Sequence, residues 1–221
     1  MITRKQLRVQ HREERRARER AAAAAALRGR WIRLGAGGIA AAAALVVLVA
    51  ALVGGVSGSG TGDLTAGPEP WPAESAHLRA RLAGLAFPPN GDESFHIHAL
   101  LHVYVDGAPV TVPANIGISP AAGIESPLHT HDTSGVIHIE AGQPHDFRLG
   151  DFFTVWGVAF SDTQVGSYRN VADRTVQVFV NGQAVADPVS DVIHAHDNIV
   201  VAYGAAGSFP TQPPADALEG L

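Results

Sequence analysis

Polar and apolar residues alternate along the segment from Phe95 to Asp106. A period of two over this length predicts a β-strand with one buried face. Asp106-Gly107 then predicts a hairpin turn leading into a short strand through Val110 and Val112. The apolar face of the first strand is aliphatic throughout, whereas its other face carries His96, His98, Leu100, His102 and Tyr104.

Further along the chain the hydrophobic period changes from strand-like to helical and back again. Leu149, Phe152, Phe153 and Trp156 recur at the spacing of one helix face, and Gly157 is placed to end that helix. Strands are predicted on either side of this helix. They are Ser126–His131 paired with Val136–Glu140, Thr175–Val180 before an Asn181-Gly182 turn, and Ile199–Tyr203.

This order of strands around one helix predicts an α+β fold with a mixed sheet. The pattern is similar to a β-grasp, in which a mixed sheet curls around one helix. The segment from Val178 to Val185, followed by Asp197–Val201, resembles the closing hairpin of soluble-ligand-binding β-grasp domains. The resemblance covers about residues 95–205 and implies a fold, not an activity.

A cupin-like all-β barrel is the alternative fold. His96-x-His98 followed by His102 is similar to the first cupin motif, although His102 stands where that motif has Glu. The second cupin motif has no clear counterpart in the chain. The helix predicted at Leu149–Trp156 would also interrupt a jelly roll.

A continuous apolar run occupies residues 34–56, which contain no charged side chain. Its length matches the roughly 20 residues that cross a bilayer, so we predict a transmembrane helix that serves as an uncleaved signal anchor. Residues 1–33 hold eleven of the sixteen Lys and Arg residues and three acidic ones, while the remainder holds 18 acidic and five basic residues. The positive-inside rule therefore predicts a cytoplasmic N-terminus and an extracytoplasmic C-terminal domain at the cell membrane.

Composition divides the chain into five predicted regions. The basic head has no interleaved aromatic residues, which argues against nucleic-acid binding and favours anionic lipids as its partner. The predicted regions are a basic cytoplasmic tail (1–33), the transmembrane helix (34–56), a Gly/Pro-rich linker with a short helix (57–91), a His-rich β domain (92–205) and a disordered tail (206–221).

The segment from His129 to Glu140 concentrates three histidines around a predicted turn at Asp132–Gly135. If that turn is a four-residue loop, His129 lies opposite His138, and His129, His131 and His138 all project from one side. Opposed side chains of this kind have Cβ atoms about 4.5–5.5 Å apart, which allows imidazoles to converge on one ion.

A divalent transition metal, with Zn or Cu most favoured, is the predicted cofactor of these histidines. The chain has no cysteine, and its single methionine is Met1, so sulfur ligands are excluded. Clustered imidazoles repel one another once protonated, and a shared metal removes that repulsion. The predicted ligands are His96, His98, His102, His129, His131 and His138.

Two carboxylates and three other histidines have different predicted roles. Asp132 and Glu140 are candidates for extra oxygen ligands or for acceptors that orient imidazole N–H groups, although Asp132 is equally typical of a plain turn. His194 and His196 are interpreted as a polar strand face, and His145 as a loop residue.

Three functions are compatible with this pattern. The first is an anchored extracytoplasmic protein that binds, buffers or hands on a metal ion. The second is a mononuclear metalloenzyme with Asp132 or Glu140 as acid/base, and the third is a partner-binding module with pH-sensing histidines. The blocks at residues 113–118, 126–140 and 149–157 together resemble a family of membrane-anchored, histidine-rich prokaryotic proteins; that resemblance implies a common domain and no substrate.

Overall fold

The computed structural model describes residues 64–88 and 94–221. The predicted basic tail and transmembrane helix lie outside these residues. No helix within the described part of the chain is both long enough and apolar enough to cross a membrane.

Two α-helices and a set of mostly short strands make up the described residues. The helices are α1 (Leu78–Ala83) and α2 (Leu149–Trp156). The strands are β1 (Phe95–Val105), β2 (Ala108–Val110), β3 (Ile118–Ser119), β4 (Ile124–Glu125), β5 (Leu128–His129), β6 (Val136–Ala141), β7 (Phe160–Ser161), β8 (Gln164–Val165), β9 (Tyr168–Arg169), β10 (Thr175–Val180), β11 (Gln183–Ala184) and β12 (Asn198–Gly204).

One seven-stranded mixed sheet organises the domain, which confirms the predicted α+β class. Its strand order is β11-β10-β12-β1-β6-β5, with β2 also paired to β1. β1 runs parallel to β12, and the other pairs in this sheet are antiparallel. In the described residues β11 and β5 do not pair, so the sheet does not close as the alternative barrel would require.

The main core lies between one face of this sheet and α2. The aliphatic face of β1 is buried, as its alternation predicts, and it packs with the α2 residues Leu149, Phe152, Phe153 and Trp156. Gly157 adopts a left-handed conformation with φ 85° and ends α2 as predicted. Sequence periodicity therefore placed both the helix and its buried face.

Residues 64–88 belong to the same core, so the prediction of a linker is wrong for this stretch. Trp71 is 2% exposed and packs edge-on against Trp156. The short helix predicted in this stretch is α1, and Leu78 on its inner face is fully buried. Arg81 at its end is also buried; its guanidinium donates to a Glu74 carboxylate oxygen at 2.5 Å and to the Val155 carbonyl at 3.2 Å.

The chain after Gly204 packs on the second face of the sheet, which corrects the prediction of a disordered tail. Phe209 stacks on Tyr104 with ring centroids 6.3 Å apart, and Leu218 packs against Leu100. The buried Asn198 side chain donates to the Pro213 carbonyl at 2.6 Å. The segment is rich in glycine and proline, but its few large apolar side chains cover the apolar positions of β1 and β12 that would otherwise face water.

Candidate metal centre

The hairpin of β5 and β6 has the register that the sequence predicts. His129 pairs with His138, and Leu128 pairs with Ile139. Gly135 precedes β6 with φ 85°, and a Cβ added there would lie 2.4 Å from the Leu101 carbonyl oxygen. Only glycine fits this close approach to β1, which helps to fix where β6 begins.

Pairing between β1 and β6 brings the two histidine segments together. His98 pairs with His138, and His96 pairs with Glu140. Since β5 lies on the other side of β6, His98, His138 and His129 stand in a row across three adjacent strands and on the same face. This long-range pairing assembles the cluster, which comprises His96, His98, His129, His131, His138 and Glu140.

Three ring nitrogens converge at the β1 end of the cluster. His98 Nε2 lies 3.0 Å from His96 Nε2 and 3.1 Å from His138 Nδ1. A neutral ring nitrogen carries either one proton or one lone pair, so hydrogen bonding accounts well for only one of these two contacts. Two ligands of a tetrahedral ion at about 2.0–2.1 Å would be about 3.3 Å apart, close to both distances.

A second pair of ring nitrogens meets at the β5 end. His129 Nε2 lies 3.2 Å from His131 Nε2. His129 Nδ1 lies 2.9 Å from the Ser126 carbonyl oxygen, so its proton resides on Nδ1 and its Nε2 lone pair faces His131. Backbone fixation of one ring nitrogen is the usual way in which proteins orient a metal-binding imidazole.

Glu140 supplies an oxygen to the cluster. Its Oε1 lies 3.1 Å from His96 Nε2 and 3.8 Å from His138 Nδ1. Among the described residues, the donor atoms form two groups. Within each group all ligand atoms lie within 4.8 Å of one another. One group is His129, His131, His138 and Glu140, and the other is His96, His98 and His138.

Burial and crowding hold the central imidazoles in their neutral form. Burial, followed by repulsion from His131 and other neighbouring histidines, lowers the pKa of His138 to about 2. Burial and then the charge of His131 lower the pKa of His129 to about 3. Burial and then the charge of His96 lower the pKa of His98 to about 4. Neutral rings are the form that binds metal, so these three need not lose a proton near neutral pH.

His102 is the one predicted ligand that the fold does not bring to the cluster. It shares a strand face with His98, but four residues along a strand correspond to about 13 Å. Leu100, covered by Leu218, lies between the two histidines on that face. The His102 Nε2 atom is buried without a hydrogen-bond partner, and burial lowers its pKa.

Two carboxylates beside the hairpin, Asp132 and Glu125, have different roles. Asp132 Oδ1 accepts the Ser134 backbone N–H at 2.9 Å, so Asp132 stabilises the turn as its position suggests. Glu125, which the sequence did not single out, has an oxygen 3.7 Å from His129 Nε2. Glu125 and Ser126 also lie on the wall of a groove of about 520 Å³ beside α1, so this groove reaches the His129 end of the cluster.

His196, which the sequence pattern places on a polar strand face, also lies beside His98. Its backbone N–H donates to the His98 carbonyl at 2.7 Å, and its charge contributes to the lowered pKa of His98. His194, His145 and His77 are exposed. The parallel pairing of β12 with β1 explains the position of His196, and nothing in the local pattern around His194–Asp197 indicates that pairing.

Comparisons with protein-family models, with curated proteins and with solved structures find no match for this chain. The residues of the cluster could hold a metal ion.

Proposed function

We propose that this protein binds a divalent transition metal, Zn or Cu, through the clustered histidines. Its proposed role is to store the ion, to buffer it or to pass it to another molecule. The convergence of five imidazoles and Glu140 carries the proposal. Imidazole nitrogens with an optional carboxylate suit Zn(II) and Cu(II), and no sulfur ligand is available in a chain without cysteine. His129, oriented by the Ser126 carbonyl, has the outer support that such ligands need.

The proposed location is the extracytoplasmic face of the cell membrane. The uncharged run at residues 34–56 and the basic head before it support a single-pass anchor with a cytoplasmic N-terminus. The resemblance to membrane-anchored, histidine-rich prokaryotic proteins is consistent with this arrangement. A reporter enzyme active only outside the cytoplasm, fused to Leu221, should be active; activity of a cytoplasm-only reporter would refute the topology.

We further propose that the domain is β-grasp-like. Parallel pairing of β1 with β12, antiparallel partners on both sides and one helix against the sheet support this assignment. The assignment implies no reaction. A metalloenzyme that uses Glu140 as acid/base is the second candidate, because Glu140 belongs to the donor group around His138.

Metal titration of the full chain, purified without a polyhistidine tag, tests the proposed function. Competition with a chromophoric chelator should give a Kd for Zn(II) or Cu(II) below one micromolar. A double variant with His77→Ala and His145→Ala is the control, because both histidines are exposed and neither belongs to the cluster. Absence of submicromolar binding, or loss of binding in this control, would contradict the proposal.

A further inference from the structure

The cluster contains more donors than one four-coordinate ion uses. Zn(II) in structural sites takes four ligands, and catalytic sites keep three protein ligands and an open position. Here five imidazoles and one carboxylate are brought together. A single four-coordinate Zn(II) ion would therefore leave two of the six side chains unused.

The donor atoms also lie at two separate ends of the cluster. His129 and His131 form one close pair, and His96 and His98 form another, with contacts of 3.2 Å and 3.0 Å. Even opposite ligands on one ion at about 2.1 Å would be only about 4.2 Å apart. No set of donor atoms mutually within 4.8 Å contains both pairs.

His138 and Glu140 lie between the two ends. His138 belongs to both donor groups, with Nδ1 directed at His98 and its ring 4.4 Å, centroid to centroid, from that of His131. Glu140 belongs to the His129 group and also contacts His96 at 3.1 Å. Both residues are partly buried and sit on β6, the strand that separates β1 from β5.

We infer that the cluster is a dinuclear centre, with one ion held by His129 and His131, a second by His96 and His98, and His138 and Glu140 shared between them. The inference rests on the proposed metal binding and adds the number and placement of the ions. With both shared side chains in place, each ion has four protein ligands, two of its own and the two it shares. A shared His138 binds one ion through each ring nitrogen, so its ring releases its one N–H proton to solvent when both ions are bound.

Stoichiometry with Cu(II) and Zn(II) tests this inference on the full tag-free chain. The wild type should bind two ions per chain. The variants His129→Ala/His131→Ala and His96→Ala/His98→Ala should each bind one, and His77→Ala/His145→Ala should bind two. One ion in the wild type, lost in both cluster variants, would overturn the dinuclear centre while leaving the proposed function intact; no ion in the wild type would refute the proposed function itself.

Electron paramagnetic resonance of the Cu(II)-loaded wild type gives a second test that needs no variant to fold. Two Cu(II) ions sharing His138 and Glu140 should couple, which reduces the integrated spin below the copper content. Each double cluster variant, loaded with one Cu(II), should recover an ordinary uncoupled signal. Full spin intensity at two bound ions in the wild type would overturn the shared centre.

Discussion

Replacing His138 by alanine is expected to lower the affinity for Zn(II) or Cu(II) at least about 100-fold. His138 is the one histidine that belongs to both donor groups. Loss of an outer partner of a metal ligand already costs about 10- to 100-fold in affinity, so loss of a shared ligand should cost no less. Chelator competition at pH 7.5 measures the effect on the full chain.

His102→Ala provides the matched control for this variant. His102 shares the β1 face with His98 but belongs to neither donor group. Its replacement should leave metal affinity within about threefold of the wild type, a difference of less than 1 kcal/mol. Equal losses in the His102 and His138 variants, or no loss in the His138 variant, would contradict the ligand set.

The metal-free protein is expected to lose stability steeply as the pH falls from about 6.5 toward 4. An unfolded histidine protonates near pH 6.5, whereas folded His98, His129 and His138 have pKa values of about 4, 3 and 2. The unfolded state therefore binds more protons in this window, and acid favours unfolding. Each histidine contributes up to about 1.4 kcal/mol per pH unit, or about 4 kcal/mol per unit for the three together.

Urea denaturation with a chelator present, at several pH values between 7.5 and 4.5, measures this slope. Asp151 and Asp191 act in the opposite direction, because burial raises their pKa values. A triple variant with His98→Asn, His129→Asn and His138→Asn should flatten the curve between pH 6.5 and 5. An equally steep slope in that variant would assign the acid sensitivity to other groups.

Local patterns in the sequence predicted the elements and one register of this fold. The spacing of Leu149 and Trp156 located α2 because a helix buries one stripe of side chains. The four-residue turn at Asp132–Gly135 placed His129 opposite His138, since antiparallel pairing follows from the loop length. These features depend on residues that are neighbours in sequence.

Features that depend on distant pairing were harder to predict. The sequence pattern places His98 and His138 among the ligands but does not give the register that pairs them. The approach of His196 to His98 follows from a parallel strand pair that no local signal indicates. The alternation that included His102 among the ligands was correct about its strand face. It carried no information on distance along the strand or on the C-terminal segment that covers Leu100.

Composition also gave wrong predictions for segments in which a few large side chains determine the packing. Glycine and proline around Trp71 suggested a linker, yet that tryptophan and Arg81 are core residues. The C-terminal segment is also rich in glycine and proline, but Phe209 and Leu218 pack on the sheet. Average composition does not reveal one large side chain that fills a gap.

X-ray absorption of the zinc-loaded full chain shows directly whether imidazoles surround the metal. We expect nearest neighbours at about 2.0–2.1 Å, with the multiple-scattering pattern of at least two imidazoles per ion. Replacing His129 and His131 should reduce that imidazole contribution. A first shell of oxygen alone, or a spectrum unchanged by the two substitutions, would contradict the claim that these histidines hold the metal.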